Sequence, residues 1–231
     1  MNDIRAITID LDDTLWEIHP VMHRAERCLR DWLDEFFPRM TAMFSPEGVR
    51  ELRRDVVNEH PDQCHDLTFV RRTVLARMGT AAGYSEALVD DAMQVFDDAR
   101  NTVDIFPEVR PALQALRRDY VLIAVTNGNA NLQKIGIGDL FHDFVSARTA
   151  GAAKPARQIF DVAVCAGGAA AHQTLHVGDH PEFDVQGAHA AGLKAVWVNR
   201  NGDEWPAALR RPHAVVNHVG QLAAILAAGR R

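Results

Sequence analysis

The sequence Ile7-Thr8-Ile9-Asp10-Leu11-Asp12-Asp13-Thr14-Leu15 decides the fold class. It continues a mostly apolar run that begins at Ile4, and it ends in an acidic turn. Such a run is typical of a strand that is buried on both faces of a parallel sheet. Binding and catalytic residues of these sheets collect at the carboxyl ends of the strands, where Asp10 and Asp12 are expected. Two carboxylates one residue apart can bind a hard cation, and they can divide nucleophile and proton-carrier roles. On this stretch alone, a solvated acidic turn is the competing interpretation.

Composition indicates an ordinary globular protein. The chain has 231 residues, of which 47% are hydrophobic and 24% are charged, enough to bury a full core and near the length at which a second module is common. A net charge of -6 and a pI near 6.0 argue against nucleic acid or an anionic membrane as the main partner. The N-terminus has no basic, apolar signal segment, and no apolar run reaches the roughly 18 residues of a membrane span. Three scattered cysteines favour reduced thiols and a cytoplasmic location.

Helical periodicity replaces the strand pattern between residues 16 and 101. Apolar residues recur every three or four positions, while prolines and capping residues separate the segments. Four helices with short connections predict a small bundle. The predicted helices cover residues 20–37, 46–59, 67–78 and 85–100.

Strand and helix patterns alternate in the rest of the chain, which predicts a doubly wound parallel sheet. The predicted domains are therefore an α/β core of residues 1–15 and 102–231, and a helical domain of residues 16–101 inserted after the first strand. The predicted later strands cover residues 120–125, 144–146, 174–177, 195–198 and 214–219. The predicted later helices cover residues 107–118, 155–166 and 183–191, with a last helix from residue 221.

Three further polar groups stand at predicted strand ends or helix starts. The segment Thr126-Asn127-Gly128 offers a hydroxyl, an amide and backbone N–H groups, which suit a tetrahedral oxyanion. Lys154 precedes Pro155 at a helix start, where an anion is favoured. Asp179 and Asp184 add two carboxylates, which with Asp10 are enough to hold Mg²⁺. Alone, each group has an ordinary explanation, namely a turn, a surface lysine or a first-turn helix acid. Together, at one edge of one sheet, they indicate a site.

With these motifs, the chain resembles the haloacid dehalogenase (HAD) superfamily over essentially its whole length. The resemblance rests on residues 10–15, on Thr126-Asn127, on Lys154-Pro155 and on Gly178-Asp179 with Asp184. The insert is similar to the helical C1-type cap of that superfamily. The resemblance implies a Rossmann-like core, Mg²⁺ dependence and phosphoryl transfer.

Dehalogenases of the superfamily keep the nucleophile, but as a family they lack an acid two residues later and need no metal. Because Asp12 and the metal carboxylates are present, a phosphatase is preferred to a 2-haloacid dehalogenase. It is also preferred to a non-catalytic HAD-like binding protein, since no position of the motif set is missing.

In the phosphatase interpretation, ionised Asp10 attacks the phosphate ester and Asp12 acts as the general acid and base. Mg²⁺ is bound by Asp10, Asp179 and the main-chain carbonyl of Asp12, while Asp184 orients metal-bound water or Lys154. The remaining predicted phosphate-binding groups are Thr126, Asn127, Gly128 and Lys154.

Substrate choice is expected to lie in the cap, which resembles that of bacterial HAD phosphatases acting on FMN and 5-amino-6-(5-phosphoribitylamino)uracil. His65 and Arg71 are predicted to bind the leaving group, although a helix N-cap would equally explain His65-Asp66. Trp16 could stack on a flat ring or simply pack between cap and core.

A broad-range nucleotide or sugar phosphatase is the alternative function. The expected partner is a small phosphorylated metabolite, and the expected state is a monomer or weak dimer. The resemblance to the phosphatases that act on FMN and the ribitylaminouracil phosphate rests on Pro20-Val21, Arg24, Glu26, Arg27, His65-Asp66, Thr68, Arg71, residues 126–130 and residues 175–179.

Overall fold

The computed structural model describes residues 3–228. The chain forms two compact units. The α/β unit consists of the described parts of Met1–Glu17, Asp104–Gly128 and Gly136–Arg231, and the helical unit consists of Ile18–Val103 and Asn129–Ile135.

Six parallel strands form one sheet in the order β3-β2-β1-β4-β5-β6. This order places β1 at the centre, and the direction of winding changes between β1 and β4, where ligands of doubly wound folds bind. The predicted fold class, a parallel α/β sheet with a helical insert after its first strand, is confirmed. The strands are β1 (Ala6–Ile9), β2 (Val121–Thr126), β3 (Asp143–Ser146), β4 (Thr174–Gly178), β5 (Lys194–Val198) and β6 (Ala214–Val216).

The described α-helices follow in chain order. They are α1 (Ile18–Phe36), α2 (Pro38–Met43), α3 (Pro46–Glu59), α4 (Leu67–Ala81), α5 (Leu88–Arg100), α6 (Val109–Leu116), α7 (Leu132–Ile135), α8 (Ala147–Ala150), α9 (Arg157–Gly167), α10 (Gly187–Ala190) and α11 (Leu222–Ala228). Short 3₁₀ turns cover Gly138–Leu140, Ala171–Gln173 and Val219–Gln221, and a π-helical segment covers Pro181–Gln186.

The core of the helical unit is built from the apolar faces of its helices. On α1, buried residues recur every four positions at Val21, Ala25, Leu29 and Leu33, the spacing of one helix face. The insert contains five helices where four were predicted. Pro38, expected only to end the first helix, is the first residue of α2, because proline is tolerated at the first helical position. The buried core consists of Ala25, Leu29, Leu33, Met40, Val56, Val70, Val74, Leu75, Met78, Ala82, Leu88, Val89, Ala92 and Phe96.

In the α/β unit, all four residues of β1 are buried, as the apolar run predicts. Two helix predictions need correction. The helix expected from residue 155 begins at Arg157, so Lys154 lies in the loop before it. The helix expected over residues 183–191 is the π-helical segment followed by α10.

No helix within residues 3–228 combines the length and the apolar character needed to cross a bilayer. Cys28, Cys64 and Cys165 are free thiols.

Candidate active site

The carboxyl ends of three adjacent strands bring the predicted core motifs together. Asp10 directly follows β1, Thr126 ends β2, and Asp179 directly follows β4. Ile9 lies opposite Ala124 on one side and Val177 on the other, so these strands end at nearly the same level. The side chains that follow them therefore meet at one edge of the sheet.

Lys154 joins two of the predicted carboxylates. Its Nζ lies 2.5 Å from Asp10 Oδ1 and 2.7 Å from Asp184 Oδ1, and all three side chains are buried. Asn127 holds the backbone of this lysine, because its Oδ1 accepts from Lys154 N at 2.6 Å and its Nδ2 donates to Lys154 O at 3.0 Å. Both ends of the Asn127 amide are thus engaged in placing the ammonium.

Asp184 is fixed by hydrogen bonds to both of its carboxylate oxygens. Besides Lys154, Oδ1 contacts His176 Nε2 at 3.0 Å, and Oδ2 accepts from the backbone N of His180 at 2.9 Å. The approach of Asp184 to β4 requires Gly178, since a Cβ at that position would lie 2.3 Å from Asp184 Cγ.

The carboxylates of Asp10, Asp179 and Asp184 fit a divalent metal in position and in charge. One oxygen of each lies within 4.8 Å of the others. Burial and the neighbouring carboxylates raise the pKa of Asp10, although Lys154 opposes the shift. Burial, Asp184 and Asp13 raise the pKa of Asp179 to about 7. A divalent cation would relieve this repulsion, because it stabilises the ionised form of each oxygen ligand.

The ion pairs determine which protonation states of Lys154 and Asp184 are stable. Burial disfavours a charged lysine, but Asp10 and Asp184 overcome this effect and raise the pKa of Lys154. Burial likewise disfavours a charged Asp184, but Lys154 and His176 overcome it and lower the pKa of Asp184. A positive Lys154 and a negative Asp184 are therefore the stable forms.

Thr14 links the acidic turn to the third carboxylate. Its hydroxyl lies 3.2 Å from Asp10 Oδ2 and 3.2 Å from Asp179 Oδ1, so it can donate to either. Thr14 was not among the predicted site residues. Its place in the acidic turn was the available signal, but its two partners, Asp10 and Asp179, follow different strands.

Asp12 contacts Trp16, a contact that the sequence did not predict. The indole Nε1 of Trp16 donates to Asp12 Oδ1 at 2.9 Å, and the Trp16 side chain is fully buried. Because neither face of the indole is exposed, stacking on a ligand ring is not its role in this structure.

His176 is a further buried residue at this site. It lies on β4, as predicted, with Nε2 toward Asp184 and Nδ1 2.8 Å from Thr8 Oγ1. The carboxylate of Asp184 accepts hydrogen bonds, so Nε2 carries the ring hydrogen and Thr8 donates to Nδ1. Burial lowers the pKa of His176, consistent with a neutral ring.

The other predicted phosphate-binding residues close a turn at the end of β2. Thr126 is buried, and its Oγ1 accepts from Gly128 N at 2.9 Å. This turn brings Thr126 and Gly128 to the same sheet edge as Asp10.

His65 and Arg71 belong to the helical unit. The N-cap alternative is correct for Asp66, which accepts from Thr68 N and Phe69 N at the start of α4. Arg71 Nη2 lies 2.7 Å from Glu26 Oε1, and the Arg71 guanidinium carbon lies 3.5 Å from the centre of the Phe96 ring.

Comparisons with known proteins agree with this geometry. A family model for haloacid dehalogenase-like hydrolases matches residues 4–192. Over 231 residues the chain is 32% identical to 5-amino-6-(5-phospho-D-ribitylamino)uracil phosphatase YigB of Escherichia coli, covering 96% of each. It is 30% identical to glyceraldehyde 3-phosphate phosphatase of Methanopyrus kandleri, covering 95% of this chain and 99% of the relative. A crystal structure described as 2-haloacid dehalogenase from Pseudomonas syringae pv. Tomato has a TM-score of 0.94 at 37% identity, covering 98% of this chain and 99% of that chain.

These similarities extend along the whole chain, and the structure brings the core motifs of the predicted site to one sheet edge. The chain belongs to the haloacid dehalogenase-like hydrolase family and is a HAD-family phosphatase, a phosphoric monoester hydrolase.

Proposed function

We propose that the protein hydrolyses a small phosphorylated metabolite through an aspartyl-phosphate on Asp10, with Mg²⁺ as its metal. The observation that carries the proposal is the buried cluster in which Lys154 contacts Asp10 and Asp184 while Asp179 completes a metal-sized group of oxygens. A fixed carboxylate beside a fixed ammonium suits nucleophilic attack on a phosphate ester.

In the first half-reaction, a carboxylate oxygen of Asp10 attacks phosphorus in line. The new P–O bond forms while the ester P–O bond to the alcohol breaks. Asp12 donates its proton to the departing oxygen, so the alcohol leaves uncharged. Lys154 and Thr14 hold the Asp10 carboxylate in one orientation before the substrate arrives.

In the second half-reaction, water attacks the phosphorus of phosphorylated Asp10. Asp12, now a carboxylate, takes a proton from that water, and the P–O bond to Asp10 breaks. Inorganic phosphate leaves, the Asp10 carboxylate is restored, and Asp12 is protonated for the next cycle.

The proposed metal ligands are Asp10, Asp179 and the main-chain carbonyl of Asp12, with Asp184 supporting Lys154 or metal-bound water. Bound Mg²⁺ would supply neutralising charge to the phosphoryl oxygens. The Thr126 hydroxyl is proposed to donate to the same oxygens, while Asn127 and Gly128 are proposed to support phosphate binding by placing Lys154 and the Thr126 hydroxyl. Each such preorganised donor is worth roughly 3–4 kcal/mol of transition-state stabilisation.

For the substrate, we propose FMN or 5-amino-6-(5-phosphoribitylamino)uracil. The similarity to the E. coli enzyme, which is named for the second of these substrates, supports that substrate because the similarity covers the helical unit as well as the α/β unit. The helical unit is proposed to select the leaving group through His65 and Arg71. A broad-range nucleotide or sugar phosphatase is the second candidate, because the Methanopyrus relative is named for a different phosphate at similar coverage.

Dehalogenation is disfavoured by the chemistry of the site. A halide leaves as a stable anion, so its displacement by Asp10 requires neither a proton from Asp12 nor a cation at Asp179. Both groups are useful when an alkoxide leaves and when phosphoryl oxygens carry charge.

A panel of phosphate esters tests the proposal. We expect kcat/KM to be highest for FMN or the ribitylaminouracil phosphate, lower for nucleotides and sugar phosphates, and negligible in EDTA. Equal kcat/KM across the panel would favour the broad-range alternative. Chloride release from (S)-2-chloropropionate, without phosphatase activity, would contradict the proposal.

A further inference from the structure

The acidic turn folds back on itself so that Trp16 lies beside Asp12. Residues 12 and 16 form a parallel β-bridge, and Asp13 N donates to Trp16 O at 2.7 Å. Leu15 N donates to Leu11 O at 2.7 Å, and Asp13 adopts a positive φ of 60°. The backbone of the turn therefore fixes the distance between residues 12 and 16, independently of their side-chain rotamers.

Within this turn, the two side chains are joined by a directed hydrogen bond. Trp16 Nε1 lies 2.9 Å from Asp12 Oδ1, and the indole is fully buried. A buried indole N–H without an acceptor would be destabilising, so this contact satisfies Trp16 and orients Asp12 at once. The indole N–H donates but cannot accept, so it takes no part in proton transfer.

The turn thus carries two donors for two carboxylates. The Thr14 hydroxyl lies 3.2 Å from Asp10, the proposed nucleophile, and the Trp16 indole donates to Asp12, the proposed acid and base. We propose that Trp16 is a positioning residue, which holds the Asp12 carboxyl group where it protonates the leaving oxygen. This inference rests on the proposed phosphatase mechanism and adds a residue to which that mechanism gave no role.

The expected effect follows from what a general acid does. An alkyl phosphate releases a strongly basic alkoxide and depends on a well-placed proton donor, whereas 4-nitrophenolate leaves readily without one. Loss of the indole donor should allow Asp12 to rotate away from the leaving oxygen. Small misplacements of a reacting group already lower rates strongly. The loss of kcat/KM should therefore increase with the basicity of the leaving group.

The test measures kcat/KM for the full-length protein with Mg²⁺, using aryl phosphates of graded leaving-group pKa and one alkyl phosphate. For Trp16→Phe, we expect at least about a tenfold loss on the alkyl phosphate and less than about a threefold loss on p-nitrophenyl phosphate. The slope of log kcat/KM against leaving-group pKa should become steeper. Trp205→Phe is the matched control, because its indole donates at 3.1 Å to the Leu209 carbonyl. Its slope should equal that of the wild type.

Equal losses on every ester would overturn the positioning role, because they would show that Trp16 only supports the fold or the phosphoryl site. No loss on any ester would overturn it too. A wild-type protein without phosphatase activity would overturn the proposed function, and the positioning role with it. An active wild type with parallel losses overturns the positioning role alone.

Two further measurements apply if Trp16→Phe does not fold. Benzothienylalanine at position 16 keeps the shape of the indole and replaces N–H by sulfur, and it should reproduce the steeper slope. Relative to the wild-type spectrum, the indole N–H resonance of Trp16 should shift in Asp12→Ala, while the resonances of the other three tryptophans should stay in place. An unshifted Trp16 resonance, or an unchanged slope with the sulfur analogue, would overturn the inference.

Discussion

The Nζ of Lys154 lies 2.7 Å from Oδ1 of Asp184, and both side chains are almost completely buried. The same Asp184 oxygen contacts His176, and the same Lys154 ammonium contacts Asp10. Removing one member of a buried ion pair leaves an uncompensated charge and is destabilising by roughly 3–5 kcal/mol. The orientation of Asp10 therefore depends on Lys154 and, through Lys154, on Asp184 and His176.

Gly178→Ala tests how closely Asp184 must approach β4. The new Cβ would lie 2.3 Å from Asp184 Cγ, so Asp184 must move and its contact with Lys154 must change. We expect urea unfolding to show a loss of about 1–3 kcal/mol, together with at least about a tenfold loss of kcat. Gly48→Ala is the control, because a Cβ added at Gly48 would lie 3.7 Å from Ser45 Oγ, an ordinary van der Waals distance. Wild-type activity in Gly178→Ala would show that Asp184 need not stay where it is.

Asp10→Asn tests covalent catalysis. The amide keeps the shape of the side chain but is not a nucleophile, so kcat should fall by at least roughly 10³-fold. Lys154 keeps Asp184 as its partner, and the loss of one buried negative charge relieves repulsion among the carboxylates, so the melting temperature should change little. No phosphorylated protein should be trapped by acid quench. Intact mass should verify that the amide has not hydrolysed. Substantial turnover by a mass-verified sample would exclude the aspartyl-phosphate route.

Metal removal tests the three-carboxylate site. Activity should vanish in EDTA, return with Mg²⁺ and be weaker with Ca²⁺, whose bonds are longer and whose geometry is looser. Mg²⁺ at 100 times its Kd should stabilise the native state by about 2.7 kcal/mol. Asp179→Asn should lose most of this stabilisation. Full activity in a sample free of metal, or equal stabilisation of both proteins, would contradict the assignment.

The raised pKa of Asp179 predicts a pH dependence of metal-free stability. Burial and neighbouring carboxylates raise this pKa from 3.8 to about 7 in the folded protein. Between these pH values the native state binds more protons than the unfolded state. The contribution of Asp179 to the free energy of unfolding therefore decreases as pH rises. The pKa of Asp184 is shifted downward, so its contribution changes only at lower pH.

In EDTA, the free energy of unfolding should therefore fall more in the wild type than in Asp179→Asn between about pH 5 and about pH 8. Saturating Mg²⁺ should remove most of the difference, because the bound metal favours ionised carboxylates. Parallel pH profiles in EDTA would show that Asp179 titrates normally.

Arg71→Ala tests substrate selection by the helical unit. We expect kcat/KM for FMN or the ribitylaminouracil phosphate to fall at least about tenfold, while that for p-nitrophenyl phosphate changes little. Arg77→Ala is the matched control on α4, since Arg77 also pairs with a glutamate, Glu59. Equal losses on both substrates would show that Arg71 serves the fold through Glu26 and Phe96.

Local signals were sufficient for the order of elements and for the core motifs. The buried run before Asp10 predicted β1, and proline with capping serine predicted the start of α3 at Pro46, because capping chemistry is confined to a few neighbouring residues. The Pro38 signal was ambiguous, since proline can follow one helix and begin the next. The π-helical segment after His180 was missed, because its hydrogen bonds do not follow the ordinary helical period.

By itself, the sequence determined which residue types stand at the strand ends and just before a helix, and therefore that Asp10, Asp179 and Lys154 could form a phosphate site. Only the tertiary structure decided what each of them contacts. Thr8 and His176 are 168 positions apart in the chain, and they meet because β1 and β4 are neighbours in the sheet. The Trp16–Asp12 hydrogen bond is local in sequence, yet it depends on the burial of the indole. Burial and strand pairing are properties of the assembled fold, and no single stretch of residues encodes them.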